Sequence, residues 1–178
     1  MLWFSSDYHI SHDNIIRFCD RPFKDVADMQ QALIERHNSV VAPDDVVYLV
    51  GDTFWDKSDW SPDSVTRFLR RLNGTIILLP GNHDDKTLRK YMGSISYERA
   101  MPEIEYGDAS FVAFHYPMLS WPKSFHGSIC VHGHTHSKQK HTVPDRRLVN
   151  VCVDAWDFYP ASAVQIIDLV KNVKAGIE

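Results

Sequence analysis

Five short blocks in this chain carry the residue types that bind metal ions or move protons. They are Asp7-Tyr8-His9, Gly51-Asp52, Gly81-Asn82-His83-Asp84, the single His115, and Gly133-His134-Thr135-His136. Oxygen donors (Asp7, Asp52, Asn82) mix with imidazoles (His9, His115, His134, His136) and no thiolate. That is more donors than one tetrahedral ion uses. Two ions sharing a carboxylate would use them all. The mixture suits Mn, Fe, Zn or Ni, with Mn the first choice, better than Ca, which prefers oxygen alone. Two such ions form the usual clamp for in-line displacement at phosphorus. Alone, each block has a plainer reading: an Asp at a strand end often caps a turn, and His115 before Tyr116-Pro117 could be a packed loop residue. His134 and His136 weigh more, because two histidines flanking one residue after a buried strand are costly without a partner. If that segment is extended, both rings point the same way.

The blocks must be positioned by the elements before them. Leu2–Ser6, Val46–Val50 and Thr75–Leu79 read as buried strands, and each is followed by a block. Phe111–Phe114 precedes His115, and Ile129–Val131 precedes Gly133. Ligands gather outside the carboxyl ends of strands in open α/β sheets, so the five blocks are expected to converge. Val26, Met29, Leu33, Ile34, His37, Val40 and Val41 recur at helical spacing after Asp25, a plausible N-cap. Ser61-Pro62 opens a second helix, ended by Asn73-Gly74. A short helix is expected over 85–91. Ile104–Tyr106 and Ser110–Phe114 suggest a hairpin around Gly107-Asp108. Leu148–Val153 reads as a strand, and Ser162 with Gln165 as a capping box for a last helix reaching about Lys174. The pattern implies an α/β fold over residues 1–178, one domain with two sheets packed face to face and helices outside.

Composition narrows the class. The 178 residues fit one domain, since domains commonly run to roughly 100–200 residues. The net charge of -4 gives no bulk field for nucleic acid. Nucleic acid is therefore not the favoured partner, although two divalent ions would offset that charge. Cys19, Cys130 and Cys152 form no CxxC pair and read as small core residues. No apolar stretch approaches the roughly 18 residues of a membrane span, and the first residues lack a basic region. A cytoplasmic protein without membrane partners is the expectation.

The ordered set of blocks resembles the calcineurin-like metallophosphoesterase superfamily over residues 7 to 136. The stretch Asp7–Phe23, with Asn14-Ile15-Ile16-Arg17-Phe18-Cys19 and Arg21-Pro22-Phe23, is similar to its small bacterial and phage-encoded members. The resemblance implies a four-layer α-β-β-α sandwich of two mixed sheets. It implies one metal held by Asp7, His9 and His136, another by Asn82, His115 and His134, and Asp52 between them. His83 would be the general acid or transition-state stabiliser, steadied by Asp84. A hydroxide held by the metals would attack a phosphodiester or phosphomonoester. Protein phosphatases of the superfamily carry an Arg soon after Gly-Asp and Glu in place of Asp84. Thr53-Phe54-Trp55-Asp56-Lys57 has no such Arg, which argues against that activity. The metallo-β-lactamase pattern also fails, because His134-Thr135-His136-Ser137-Lys138 lacks its Asp.

Further residues are candidates for substrate. Arg21, in a loop before Pro22, could pair phosphate oxygens bidentately, and His12 could face substrate or cap the following segment. Arg17 reads as surface. Trp55, Trp121, Phe125 and Trp156 could line a cleft but are more often core. His132 could support the neighbouring ligands. The expected activity is hydrolysis of a small phosphate ester. The alternatives are a nuclease, a nucleoside-polyphosphate hydrolase, or a non-catalytic scaffold of the same fold, the last disfavoured by the presence of His83.

Overall fold

The computed structural model describes residues 1–55, 61–83, 101–141, 143 and 145–174. Two four-stranded mixed sheets carry the fold. In the first sheet, β1 (Leu2–Ser5) pairs in parallel with β2 (Val46–Val50), and β2 with β3 (Thr75–Leu79). A two-residue β8 (Ala161–Ser162) pairs antiparallel on the other side of β1. In the second sheet, β4 (Glu103–Tyr106) and β5 (Ala109–Ala113) form the expected hairpin. The parallel strands β6 (Ile129–His132) and β7 (Leu148–Asn150) follow.

Alternation along the strands decides which face is buried against what. Trp3, Val47, Leu49 and Leu78 join one apolar cluster with Met29, Leu33, Val65 and Phe68. Those partners come from α2 (Val26–Val40) and α3 (Pro62–Leu69). The alternate residues Leu2, Phe4, Val50 and Leu79 join Phe111, Val131 and Val149 between the sheets. The rings of Phe4 and Phe111 meet there at 5.0 Å. Ala163, Ile166 and Val170 of α4 (Ala163–Val170) complete that cluster. Val112, Cys130 and Leu148 face the other way, against Trp121.

The caps act as the sequence implies. The Asp25 side chain accepts from the N–H of Asp28. Ser61 with Ser64, and Ser162 with Gln165, form capping boxes. Three differences matter. A short α1 (Asp13–Phe18) follows the first block. The run read as one strand to Val153 ends at Asn150, whose side-chain oxygen accepts from the N–H of Cys152 at 3.0 Å, and a 3-10 turn spans Val153–Ala155. The last helix stops at Val170. The helix expected over 85–91 lies outside the described residues. No described helix is long and apolar enough to cross a membrane.

The sheets meet where the ligand blocks begin. Beyond β1 and β7, Ser6 pairs with Cys152, and the N–H of Val153 donates to Ser6. Backbone bonds continue outward: Asp7 N–H to Gly51 O, His9 N–H to Asp52 O, and Gly133 N–H to His115 O. The loops at the carboxyl ends of both sheets are therefore tied to each other.

Candidate metal centre

Three of the five blocks leave their strands through strained turns. Asp7, His9, Asp52, His134 and His136 all have positive φ, between 48° and 69°. Such conformations are uncommon outside glycine and cost on the order of 1 kcal/mol or more each, so the surroundings must hold them. The extended geometry expected of His134-Thr135-His136 is not what forms. The two rings diverge, His134 toward Asn82 and His136 toward His9. The block glycines explain themselves by space. A Cβ on Gly51 would stand 2.4 Å from Nδ1 of His115, one on Gly81 2.0 Å from Oδ1 of Asp52, and one on Gly133 2.3 Å from Oδ2 of Asp7.

Two groups of donors result. In the first, Nε2 of His9 and Nε2 of His136 lie 3.2 Å apart. Oδ1 of Asp7 is 3.6 Å from the latter and 3.9 Å from the former. In the second, Oδ1 of Asn82 lies 3.1 Å from Nε2 of His115 and 3.0 Å from Nδ1 of His134. Donors about 2.1 Å from a shared ion stand about 3.0–3.4 Å from each other, so the closer contacts are edges of a coordination shell. Oδ2 of Asp52 reaches both groups, 3.8 Å from Nε2 of His9 and 3.3 Å from Nε2 of His115. Its other oxygen accepts the backbone N–H of His83 at 2.9 Å. One carboxylate oxygen, not one of each, therefore lies between the groups.

Tautomers fit the same use. Nδ1 of His115 donates to Val50 O at 3.0 Å, and Nδ1 of His136 donates to Oδ2 of Asp154 at 3.0 Å. In both rings Nε2 is left to face the shared centre, as a metal-ligating histidine requires.

The family model for calcineurin-like phosphoesterases matches residues 2–156. The chain belongs to that family. An uncharacterized protein of Methanocaldococcus jannaschii is 32% identical, with 97% of this chain and 93% of the relative covered. The gene 66 protein of Mycobacterium phage D29 is 26% identical, with 99% and 98% covered. A crystal structure of a protein of unknown function from Aquifex aeolicus superposes with a TM-score of 0.73 at 25% identity, covering 95% of this chain and 98% of that one.

As a calcineurin-like phosphoesterase, the chain is a metal-dependent hydrolase of phosphate esters, and its donor groups are the residues fitted to hold divalent ions. In the metal-free protein, burial pushes His9 down to about 2, against the pull of Asp52. Its imidazole is neutral and free to ligate. Burial works against charge on His136, yet the Asp154 carboxylate lifts it to about 10. Burial likewise opposes charge on Asp52, but its hydrogen bond to His115 holds it down at about 2. The same contact raises His115 against burial. An ion at the first position would replace a proton on His136, so its affinity falls as the pH is lowered.

Asp154 carries no expectation from the sequence, yet it is central here. Its Oδ1 accepts from Nε of Arg21 at 2.9 Å, and its Oδ2 from Nη2 of Arg21 at 2.8 Å. It also accepts from the Cys152 thiol at 3.1 Å. Burial raises that thiol well above its ordinary value, so it stays protonated. Arg21 is corrected by this finding. Its side chain is fully buried, and Nη2 and Nη1 donate onward to the carbonyls of Asp7 and Tyr8 at 2.8 and 3.3 Å. No face of the guanidinium is left for a phosphate.

His12 is buried too, stacked on Trp55 at 3.6 Å with Nδ1 3.3 Å from Nδ1 of His9. It touches a candidate ligand, not the solvent. Trp55 also lies 4.6 Å from the His83 ring. Trp121 and Trp156 are core, Phe125 is exposed elsewhere, and Arg17 bonds Asn14 at the surface. His132 is buried with Nδ1 bonded to Gly133 O. His83 is the half-exposed member: its side chain is 39% accessible, and Nε2 is 3.9 Å from Oδ2 of Asp52. Asp84 lies outside the described residues.

Proposed function

We propose that the chain hydrolyses a small phosphodiester or phosphomonoester at a centre of two divalent transition-metal ions, Mn first among them. The observation that carries this reading is Oδ2 of Asp52, which faces both donor groups. Asp7, His9 and His136 would hold one ion, and Asn82, His115 and His134 the other. When bound, the ions supply positive charge against the phosphate oxygens and acidify a water.

The chain's own groups do the rest. Oδ1 of Asp52 pins the backbone of His83, so the imidazole stands at a fixed place beside the shared carboxylate. As the bond from phosphorus to the leaving oxygen breaks, His83 donates a proton to that oxygen or a hydrogen bond to the phosphoryl group. Its exposure lets a substrate reach it from the open side. Trp55 stacks on His12 and lies beside the His83 ring. The net charge of -4 supplies no long-range attraction for polynucleotides, which supports a small ester as substrate.

A matrix of Mn, Ni, Zn and Mg against chromogenic mono- and diesters tests the reading. Turnover should require a transition-metal ion and disappear with a chelator. Equal turnover after complete chelation would refute it.

A further inference from the structure

The two donor groups differ in what holds them from behind. Behind the first stands Asp154, which takes Nδ1–H of His136 at 3.0 Å and is itself gripped at both oxygens by Arg21. The same guanidinium binds the carbonyls of Asp7 and Tyr8, in the turn where Asp7 has φ 58°. One buried cation therefore holds the Asp7 turn directly and the His136 ring through Asp154, its partner 133 residues away in the chain. Behind the second group, His115 leans on a neutral backbone carbonyl of Val50. Its partners Asn82 and His134 are exposed.

We propose that Arg21 and Asp154 form a positioning pair that makes the Asp7–His9–His136 position the tighter of the two metal positions. The proposal rests on the two-ion reading above. A carboxylate behind a ligating imidazole fixes its tautomer and makes its far nitrogen a stronger donor than a carbonyl does. The guanidinium keeps that carboxylate satisfied while buried, since an unpaired buried charge is costly. It also removes freedom from the turn carrying Asp7 and His9, so less order is lost when an ion arrives. Among the described residues the second position has neither support, and two of its three own donors are exposed.

The test is a Zn2+ titration of metal-free protein with 15N-labelled histidine, followed by ring resonances. The first equivalent should shift His9 and His136, and the second His115 and His134. Equilibrium dialysis with Mn2+ then compares variants. Asp154→Asn should weaken the tighter step by roughly 10–100-fold and leave the weaker step in place. Arg21→Met should do the same, and Arg21→Lys should recover part of the loss. A merely structural role would weaken both steps alike, and that result would overturn the proposal. So would His115 and His134 shifting first, a result that needs no variant to fold. Binding of one ion only would instead sink the two-ion reading.

Discussion

Oδ1 of Asp52 accepts the backbone N–H of His83 at 2.9 Å, while Oδ2 of the same carboxylate faces Nε2 of His83 at 3.9 Å. The carboxylate at the centre and the imidazole at the mouth are thus one local unit. Because the bond is to the backbone, removing the His83 ring leaves it intact. His83→Ala should therefore keep its metal content and lose roughly 10²–10⁴ in kcat, the usual worth of a general acid. Metal analysis beside steady-state kinetics separates the two effects, and full activity would place the acid elsewhere.

Gly81 makes the same unit possible. A Cβ there would meet Oδ1 of Asp52 at 2.0 Å and its N at 2.3 Å. Gly81→Ala should displace Asp52 and lower kcat by roughly 10²-fold or more, as expected for a misplacement near 1 Å. Gly107→Ala is the contrast: nothing lies within 4 Å of a Cβ there, but its φ of 58° strains an Ala, so it should cost stability and leave kcat near the wild-type value. Wild-type kcat in Gly81→Ala would show that Asp52 does not need that space.

Bound ions should also stabilise the fold, because the donors come from loops that otherwise hold strained turns and buried carboxylates together. At a free ion concentration of about 100 times Kd, the gain is about 2.7 kcal/mol. Thermal denaturation should show Tm rising with Mn2+ and returning to its starting value with EDTA. A Tm that ignores Mn2+ would mean the donors bind no ion in the folded protein.

A pH effect is expected away from the centre, at His37. The residue is fully buried. Its Nε2 lies 2.9 Å from Asn73 O, an acceptor only, so Nε2 carries hydrogen and Nδ1 accepts from the Tyr8 hydroxyl at 3.1 Å. Burial pushes its pKa below the ordinary 6.5. The unfolded chain takes up a proton below about 6.5 that the folded chain refuses, so this stability is present above that pH and lost below it. The slope is at most about 1.4 kcal/mol per pH unit for one such group. In EDTA, urea midpoints at pH 7.5 and 5.5 should differ less for His37→Gln than for the wild type. An unchanged slope would assign the effect to other histidines.

The sequence made the ligand blocks legible because each follows a strand bounded by a clear breaker. Gly74 and Pro80 bracket Thr75–Leu79, and β3 has those ends. Asp25 and Ser162 could be read as caps because their partners lie within the same turn. Asp154 was missed for a related reason. Apolar Val149, Val151 and Val153 look like one continuous strand, whereas the side chain of Asn150 turns the chain early and leaves Asp154 at a loop position. Arg21 read as a phosphate ligand because its acceptor lies far away in sequence. The α1 helix gave little signal: it has six residues, and its N-cap, His12, makes no side-chain cap bond. The left-handed turns at Asp7 and His9 are tied to Gly51 and Asp52, and the N–H of His134 is held by the Asp7 carboxylate, so an alternation rule assuming an extended chain could not foresee the diverging rings.

The central claim is that Asp52 joins two metal positions. Metal content by equilibrium dialysis with Mn2+ tests it most directly, in the wild type and in Asp52→Asn. The account predicts two ions per wild-type chain and loss of occupancy at both positions in the variant. A wild type holding one ion, or a variant still holding two, would contradict it.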